Sequence, residues 1–448
     1  AAVRTGVTVR DVAVPDEKMT AGAARNGAPS PGAAGSDLVP PGASALRGTG
    51  TDTVDRPAAA VALHGRDERG RAVTTRAHFV LDCSGRAGVV ARRHRTRVQA
   101  GETTLALVGV WRRRDRWPLP ACAPGDGDDA VPGGDAVRGD DAQTVVEAYA
   151  DGWAWSVPVS PHQRYVTVMV DPRTTQADRT ESLRARYLAE VGKTTHLARL
   201  TRGAALEGPP WACDASQYGA RRFGGPGFLL VGDAATFIDP LSSFGVKKAM
   251  ASGWLAAVVT NTCLRHPERA SLARDFHAAR ERRIWESYRR QTAAFFARVS
   301  RRELHPFWSD RSDAAGPGAA LDGGEEDDAA AAFRDDPAVR AAFEALRRAP
   351  SIRLRATGAV RRTTVAAVEG REIVAAPSLS LDAGSAGTIA VRHLRGIDLP
   401  ALVAMANHHT QVPDLYAAYR RTRAPVELPD FLGALSVLLG KGLLRNDA

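Results

Sequence analysis

The feature that most constrains the fold is a short apolar strand pattern that runs directly into a turn and a helix. Phe228–Val231 is continuously apolar and is followed at once by Gly232 and Asp233. A second turn then leads into a helix-like stretch from Ser243 to about Leu264. A glycine at the end of the strand lets the backbone approach a ligand closely. The pattern predicts either a ligand-binding junction or an ordinary strand–turn–helix connection.

The side chains of this junction favour a ligand that carries hydroxyl groups and negative charge. The Asp233 carboxylate can accept hydrogen bonds from vicinal hydroxyls, such as those of a ribityl chain. After Pro240, a Ser-Ser-x-Gly turn opens the helix, whose N–H groups and positive dipole end stabilise negative charge. A reduced flavin carries its negative charge around N1 and the C2 carbonyl. A flavin is therefore the favoured ligand.

The run from Phe228 to Pro240 closely resembles the ribityl-binding motif of FAD-dependent aromatic hydroxylases, and especially of the flavin-dependent halogenases and their relatives. The resemblance implies that the Gly-Asp turn holds the ribityl chain of FAD and that the following turn surrounds the isoalloxazine ring. The cofactor contacts it implies here are Gly232, Asp233, Ala234, Asp239, Pro240, Ser243, Gly245 and Val246.

A second segment, from His78 to Gly88, resembles the Asp-x-Ser-Gly-Arg segment that closes the sheet of the FAD domain in the same family. An apolar strand here delivers a glycine-containing turn, and the resemblance places that turn at the edge of the cofactor. The alternative is a strand that merely ends in a turn. The cofactor contacts implied are Asp82, Ser84, Gly85 and Arg86.

A third segment, from Gly152 to Pro158, resembles the Trp-x-Trp-x-Ile-Pro signature of flavin-dependent halogenases, with Val157 in place of Ile. Alternation along a strand places Trp153 and Trp155 on one face. The resemblance implies a double-indole wall, with Pro158, that separates the substrate from the flavin. The alternative is a pair of core tryptophans, and relatives that are not halogenases carry similar motifs.

The resemblance covers about residues 1–300 but omits the segment with which the family begins. No GxGxxG phosphate-binding loop occurs in the chain, and residues 6–14 already resemble a later strand of the FAD domain. The sequence therefore predicts an N-terminally truncated chain with weak or no FAD retention. The active-site lysine of a halogenase would also belong to the missing part. Lys247 and Lys248 could touch an anionic flavin or a halide, but a cation is unfavourable at a helix N-terminus.

The composition excludes several other classes of protein. The formal charge is +10, but 55 of the 60 basic residues are arginines in an Ala- and Gly-rich chain, and they do not concentrate on one predicted face. Solvated helix faces are favoured over a nucleic-acid surface. Four cysteines without a CxxC pair exclude zinc ribbons and disulfide scaffolds and favour a cytoplasmic protein. No apolar run is long enough for a membrane span.

The predicted fold is mixed α/β: a Rossmann-like FAD/NAD(P)-binding domain with a β-sheet substrate layer, a helical tail and a winged-helix-like C-terminal domain. The predicted core spans residues 1–308, with a flexible insertion at about 20–58 and the substrate layer at about 98–210. Residues 309–336 are acidic and rich in Ala and Gly, which predicts a linker, and residues 337–448 form the last domain.

The C-terminal domain has three alternative roles. Its β-like segments and three helical stretches resemble a winged-helix module, which can bind DNA or recognise peptides by strand addition. A packing cap on the flavoprotein is the plain alternative, and peptide or carrier-protein recognition is favoured over DNA. His408 and His409 lack partners at metal-ligand spacing and are expected on a helix surface, so no metal is predicted.

Together these patterns predict an FAD-dependent oxidoreductase that uses reduced flavin and O₂ to halogenate an aromatic, carrier-bound or peptide substrate. A separate flavin reductase or NAD(P)H would reduce the FAD. A monooxygenase of the same superfamily is the first alternative. An inactive flavoprotein fold that serves as a binding or regulatory protein is the second.

Overall fold

The computed structural model describes most of the chain, with several gaps. The described residues are 7–13, 61–94, 96–117, 143–173, 182–312, 328–348, 352–384, 387–409, 411–423 and 425–447. The predicted insertion at about 20–58 lies outside them. Among the described residues, none of the helices combines the length and apolar character that a bilayer-spanning segment needs.

The chain divides into two compact units. The first contains residues 1–257 and 277–321, and the second contains Val258–Phe276 and Asp322–Ala448. The predicted domain boundaries, 1–308 and 337–448, stay a prediction. The second unit takes in residues from the middle of the long helical region, which the sequence pattern assigned wholly to the first domain.

The first unit is built from strands β1 to β14 and helices α1 to α3, α6 and parts of α4 and α5. Its strands are β1 Val7–Ala13, β2 Val61–Asp67, β3 Ala72–Ala77, β4 Val80–Asp82, β5 Arg97–Gln99, β6 Leu105–Arg112, β7 Val145–Tyr149, β8 Gly152–Ser160, β9 Gln163–Val170, β10 Ala205–Asp214, β11 Tyr218–Ala220, β12 Gly224–Gly225, β13 Phe228–Leu230 and β14 Thr236–Phe237. Its helices are α1 Val89–Arg93, α2 Leu183–Lys193, α3 His196–Leu200, α4 Gly245–Arg265, α5 Ala270–Val299 and α6 Pro306–Ser309.

A parallel strand pair lies at the centre of the predicted cofactor domain. β13 pairs in parallel with β4 and antiparallel with β12, while β1, β2 and β3 form a separate antiparallel meander. Leu229 and Leu230 of β13 are fully buried. A continuous apolar run of this kind is expected of a strand covered on both faces.

A five-stranded antiparallel sheet, in the order β10-β6-β9-β8-β7, occupies the predicted substrate layer. Side chains alternate between its two faces. Leu107 on one face packs with Tyr187 and Leu197 of α2 and α3. The opposite face carries Trp153 and packs with aromatic residues of α5 and α6, including Phe296. Both faces of this sheet are therefore covered by helices.

The second unit has its own hydrophobic core. It contains the C-terminal part of α4, the N-terminal part of α5, and the elements α7 Asp328–Phe333, α8 Pro337–Arg348, β15 Leu354–Ala356, β16 Arg362–Glu369, β17 Glu372–Asp382, β18 Thr388–Val391, β19 His393–Leu394, β20 Ile397–Asp398, α9 Leu399–Ala406, α10 Val412–Thr422, α11 Leu428–Gly440 and β21 Leu444–Asn446. Strands β16, β17 and β18 form an antiparallel sheet, and β15 pairs with β21 near the chain end. Helices α9 to α11 bury Leu402, Leu415 and Phe431 in one continuous core with Leu379 of the sheet.

The second unit differs from the sequence prediction in two places. The three predicted helical stretches are present as α9, α10 and α11, but the β16–β17 hairpin was not identified from the sequence. Helix α7 lies at the end of the predicted linker, and its Phe333 is buried in the core of the unit. The winged-helix assignment stays a prediction.

Candidate functional site

The parallel pairing of β4 and β13 brings the first two predicted segments together. Val80 lies opposite Phe228, and Asp82 lies opposite Leu230, so both strands end at the same edge of the sheet. The two 3-10 turns that follow, Gly85–Ala87 and Gly232–Ala234, are in contact. Ligands of open α/β sheets bind at the carboxyl ends of the strands. This edge is therefore the candidate site.

Gly232 occupies a position that only glycine fits without strain. Its φ is +59°, and an added Cβ would lie 3.1 Å from the Cβ of Ala249 on α4. Its N–H donates to the hydroxyl of buried Ser252, also on α4, at 3.0 Å. The turn is therefore held against α4 by one hydrogen bond and one close contact.

Asp233 combines an anchored carboxylate with exposed surface. One oxygen, Oδ1, lies 3.3 Å from Nζ of Lys248, and about a third of the side chain is exposed. The backbone carbonyl of Asp233 accepts a hydrogen bond from the Tyr218 hydroxyl at 2.5 Å. Within the described parts of the chain, Lys248 is the carboxylate's one hydrogen-bonding partner. The remaining acceptor positions suit hydroxyl groups of a ligand.

The second turn, from Asp239 to Gly245, begins with a buried carboxylate. Asp239 accepts from the N–H of Leu241 at 2.9 Å and caps the 3-10 turn Pro240–Ser242. Burial raises the pKa of Asp239 to about 6. Ser243 has a left-handed backbone with φ of 57°, after which Gly245 begins α4. The turn is held by its own hydrogen bonds, and Val246 is three-quarters exposed beside it.

Asp82 is held by hydrogen bonds from its own turn and from the start of α1. Its buried carboxylate accepts from the N–H groups of Ser84, Val90 and Ala91, at 3.1, 2.8 and 3.3 Å, and from the Ser84 hydroxyl. Ser84 in turn accepts from the N–H of Val89 at 2.9 Å. Both side chains therefore hold the turn and the start of α1. A direct contact of either with FAD stays a prediction.

Arg86 lies between the two segments. Its guanidinium carbon is 4.0 Å from the centre of the Phe237 ring on β14, and one nitrogen is 3.3 Å from Asp214. Nη1 is buried and has no hydrogen-bond partner among the described residues. Gly85, at φ of +62°, sets the turn that presents this arginine. Arg86 thus retains a free donor at the candidate site.

The tryptophan pair lies on one face of β8, as the alternation predicted. The rings of Trp153 and Trp155 meet edge to face, with centroids 6.0 Å apart. Trp153 is 1% exposed and packs in the core with Met169 and Phe296, whereas Trp155 is only partly buried. Leu241 of the second turn packs against the same cluster. The indole pair therefore adjoins the candidate site, and Trp155 is the member with accessible surface.

The environments of several charged residues at the site were not predicted from the sequence. Lys248 is buried, although a cation in the first turn of a helix is unfavourable. Buried Arg311 follows α6 and lies 3.2 Å from Asp171, and its charge opposes the burial-driven rise in the pKa of Asp239. Glu281 and His277 lie buried on α5. No motif marks these residues, because each is placed by tertiary packing alone.

Three smaller observations concern the described residues. They contain no group of three or more metal-ligating side chains. His408 and His409 follow α9 in a turn rather than lying on the surface of a helix. Pro158 is half-buried near the end of β8, beyond the indole pair.

Comparisons with known proteins bear on the whole arrangement. A model of the tryptophan halogenase family matches residues 130–322. The chain is 28% identical over 212 residues to the flavin-dependent halogenase otaD of Aspergillus niger, covering 46% of this chain and 41% of that protein. It is 27% identical over 260 residues to a tryptophan 2-halogenase of Chondromyces crocatus, covering 57% and 45%. The chain is therefore similar to flavin-dependent halogenases over about half of its length.

Two solved structures share the fold of this chain. The halogenase CmlS superposes with a TM-score of 0.57 at 20% identity, covering 86% of this chain and 71% of that one. The peptidyl tryptophan dihydroxylase QhpG gives 0.52 at 23% identity, covering 85% and 72%. The predicted mixed α/β, Rossmann-like fold is confirmed. The chain spans less than half the length of the two curated relatives named above.

Proposed function

We propose that the chain is part of an FAD-dependent oxidoreductase that halogenates an aromatic substrate. The observation that carries the proposal is the Asp233 carboxylate, anchored on one side and accessible on the other, at the edge where two parallel strands end. A carboxylate in this position is suited to hold vicinal hydroxyls. The similarity to flavin-dependent halogenases supports FAD as the ligand that carries these hydroxyl groups.

The residues of the site fit such a cofactor. Gly232 brings the backbone close to α4 and leaves no side chain on the turn. Asp233 would accept from the ribityl hydroxyls, and the Asp239–Gly245 turn and the N-terminus of α4 would lie near the ring. Arg86 offers a buried donor without an acceptor. When bound, reduced FAD supplies the electrons that activate O₂.

The indole pair would separate the substrate from the cofactor. Trp153 fixes the position of Trp155 by packing in the core of the sheet, and Leu241 links that core to the second turn. A rigid wall of this kind excludes water and keeps a bulky aromatic substrate away from the ring. Halide oxidation is then favoured over direct oxygen transfer to the substrate.

Direct hydroxylation is the second candidate, because one similar structure belongs to a peptidyl tryptophan dihydroxylase. That similarity also favours a peptide substrate over a free amino acid. We propose that the second unit takes part in recognising a peptide-borne or carrier-borne substrate, and that a separate flavin reductase or NAD(P)H supplies electrons. If so, the full chain should show a lower KM for a tryptophan-containing peptide than for free tryptophan.

The experiment that tests the proposal measures flavin first and halide second. FAD binding is followed by quenching of flavin fluorescence on titration with the full chain. Turnover is then compared with and without bromide or chloride, in the presence of reduced FAD and O₂. Halogenated product that requires halide supports halogenation. An oxygenated product formed equally well without halide supports the hydroxylase. Because the chain has no GxGxxG loop and weak FAD binding is expected, FAD is supplied up to its solubility limit. No binding and no product under those conditions supports an inactive binding protein and contradicts both enzymes.

A further inference from the structure

Three residues on one face of α4 contact the Gly-Asp turn. Ser252 accepts from the Gly232 N–H, Ala249 lies where a side chain on Gly232 would extend, and Lys248 reaches Asp233. The neighbouring Lys247 points elsewhere: it is exposed, and its Nζ lies 5.4 Å from the centre of the Phe244 ring. Adjacent lysines of one helical turn therefore have opposite environments.

The Lys248 ammonium is buried and uses all of its donors. Its side chain is 1% exposed, and Nζ donates to the carbonyl and the hydroxyl of Thr236, the latter at 3.0 Å, as well as to Asp233 at 3.3 Å. An ammonium has three N–H groups, so each one has a partner. Burying this charge is costly unless a counter-charge is held beside it. Its position is thus tied to that of the Asp233 carboxylate.

The groups behind Lys248 do not supply that counter-charge as readily as Asp233. Glu281 of α5 is 1% exposed, and burial raises the pKa of its carboxyl, although the charges of Lys248 and Arg280 oppose the rise. His277 is fully buried with Nε2 at 3.9 Å from Glu281, and burial lowers its pKa to about 4. Burial thus favours the neutral form of both. Asp233 is the better-hydrated carboxylate, and the charge of Lys248 is balanced there.

Anchoring by Lys248 determines what Asp233 can do. With Oδ1 held by the ammonium, the carboxylate loses its freedom to rotate before any ligand arrives. We propose that Lys248 is a positioning residue, which orients the Asp233 carboxylate to accept hydrogen bonds from the ribityl hydroxyls of the flavin. This inference rests on the proposed function, since it assumes that a flavin occupies the site.

The test compares two flavins that differ in the ribityl chain. Lumiflavin has the ring of FAD but no ribityl hydroxyls, so its binding does not depend on Asp233. Lys248→Met in the full chain should raise the Kd of FAD about tenfold, the effect of losing a charge-assisted contact, while the Kd of lumiflavin stays the same. Lys193→Met is the matched control: it removes the ion pairs of Lys193 with Asp151 and Glu190, which are not part of this site, and should change neither Kd.

Two further variants separate positioning from a structural role. Lys248→Gln keeps a hydrogen-bond donor in place and is more readily folded, and it should show the same selective loss of FAD, by at least about threefold. In the Asp233→Asn background, Lys248→Met should have no further effect on the ratio of the two Kd values, because the carboxylate that it orients is gone.

The outcomes are distinct. A folded Lys248→Met or Lys248→Gln protein in which both flavins bind as in the parent overturns the inference, and so does an equal loss of both, which indicates a purely structural lysine. Either result leaves the proposed function intact. A parent chain that binds neither flavin contradicts the proposed function and the inference with it.

Discussion

The turns after β4 and β13 look alike in sequence and differ in what their aspartates do. β4 ends at Asp82, and β13 is followed closely by Gly232 and Asp233, while the two strands lie side by side at one edge of the sheet. Asp82 is 4% exposed and is saturated by backbone N–H groups, whereas about a third of the Asp233 side chain is exposed and one lysine anchors it. The Asp82 carboxylate stabilises the turn, and the Asp233 carboxylate remains able to accept hydrogen bonds from a ligand.

The largest effect is expected from removing the structural carboxylate. Asp82→Ala leaves the N–H groups of Val90 and Ala91 without their acceptor in a buried position. We expect the free energy of unfolding, measured by urea denaturation, to fall by about 3–5 kcal/mol. Asp82→Asn retains one acceptor oxygen and should cost roughly half as much. A change below about 0.5 kcal/mol for Asp82→Ala would show that the turn does not depend on it.

The third aspartate of this edge, Asp239, should make stability depend on pH. Burial raises its pKa to about 6, so the folded chain holds the proton more tightly than the unfolded chain does. Its contribution to the free energy of unfolding is present below about pH 4 and is lost as the pH rises to about 6, by up to about 3 kcal/mol.

Asp239→Asn is the variant that isolates this contribution. The free energy of unfolding is measured against pH for the variant and the parent, and one curve is subtracted from the other. The subtraction removes the contribution of His277, which titrates in both proteins. A difference that stays constant between about pH 4 and pH 6 contradicts the assignment.

Asp233→Ala should act on binding more than on folding. Loss of a charge-assisted hydrogen bond is expected to weaken FAD binding by about 1.5–3 kcal/mol, roughly a 10- to 150-fold higher Kd. For stability the comparison uses Asp233→Asn, whose amide oxygen can still accept from buried Lys248. Its free energy of unfolding should fall less than that of Asp82→Ala, because Asp233 is partly hydrated and Thr236 also accepts from Lys248. If the two variants prove equally destabilising, the contrast between the two turns is wrong.

The smallest of these effects concerns the glycine between β13 and Asp233. Gly232→Ala places a side chain at φ of +59° and 3.1 Å from Ala249, so we expect a loss of about 1–2 kcal/mol in the free energy of unfolding. Gly253 of α4 is the control position. A Cβ added there would contact nothing closer than 3.9 Å, and its φ is not in the left-handed region. Gly253→Ala should be neutral or stabilising, and a matching loss there would contradict the backbone argument.

The contrast also explains how far the sequence could be interpreted. Strand β13, helix α4 and the shared face of Trp153 and Trp155 follow from local apolar patterns, which are written in consecutive residues. The parallel pairing with β4 was not predicted, because nothing in residues 80–82 specifies a partner so distant in the chain.

The separate roles of the charged residues could not be predicted from the sequence. Asp82 and Asp233 occupy similar motifs, and only the packing of α1 on one and α4 on the other divides their functions. For Lys248, the helix-dipole argument predicted only an unfavourable position, because it considers one element at a time. Burial beside a carboxylate of another element overrides that local preference.

The pairing of Val80 with Phe228 also has a consequence for the order in which the molecule folds. About 150 residues separate these strands, and the meander and the five-stranded sheet are each built from closer pairings. Closing so long a loop costs entropy that local hairpins do not incur, so the β4–β13 edge should form late. A folding intermediate would then contain the other sheets but lack the site for a flavin. A ligand that binds only the completed edge would shift the last folding step toward the native state by mass action.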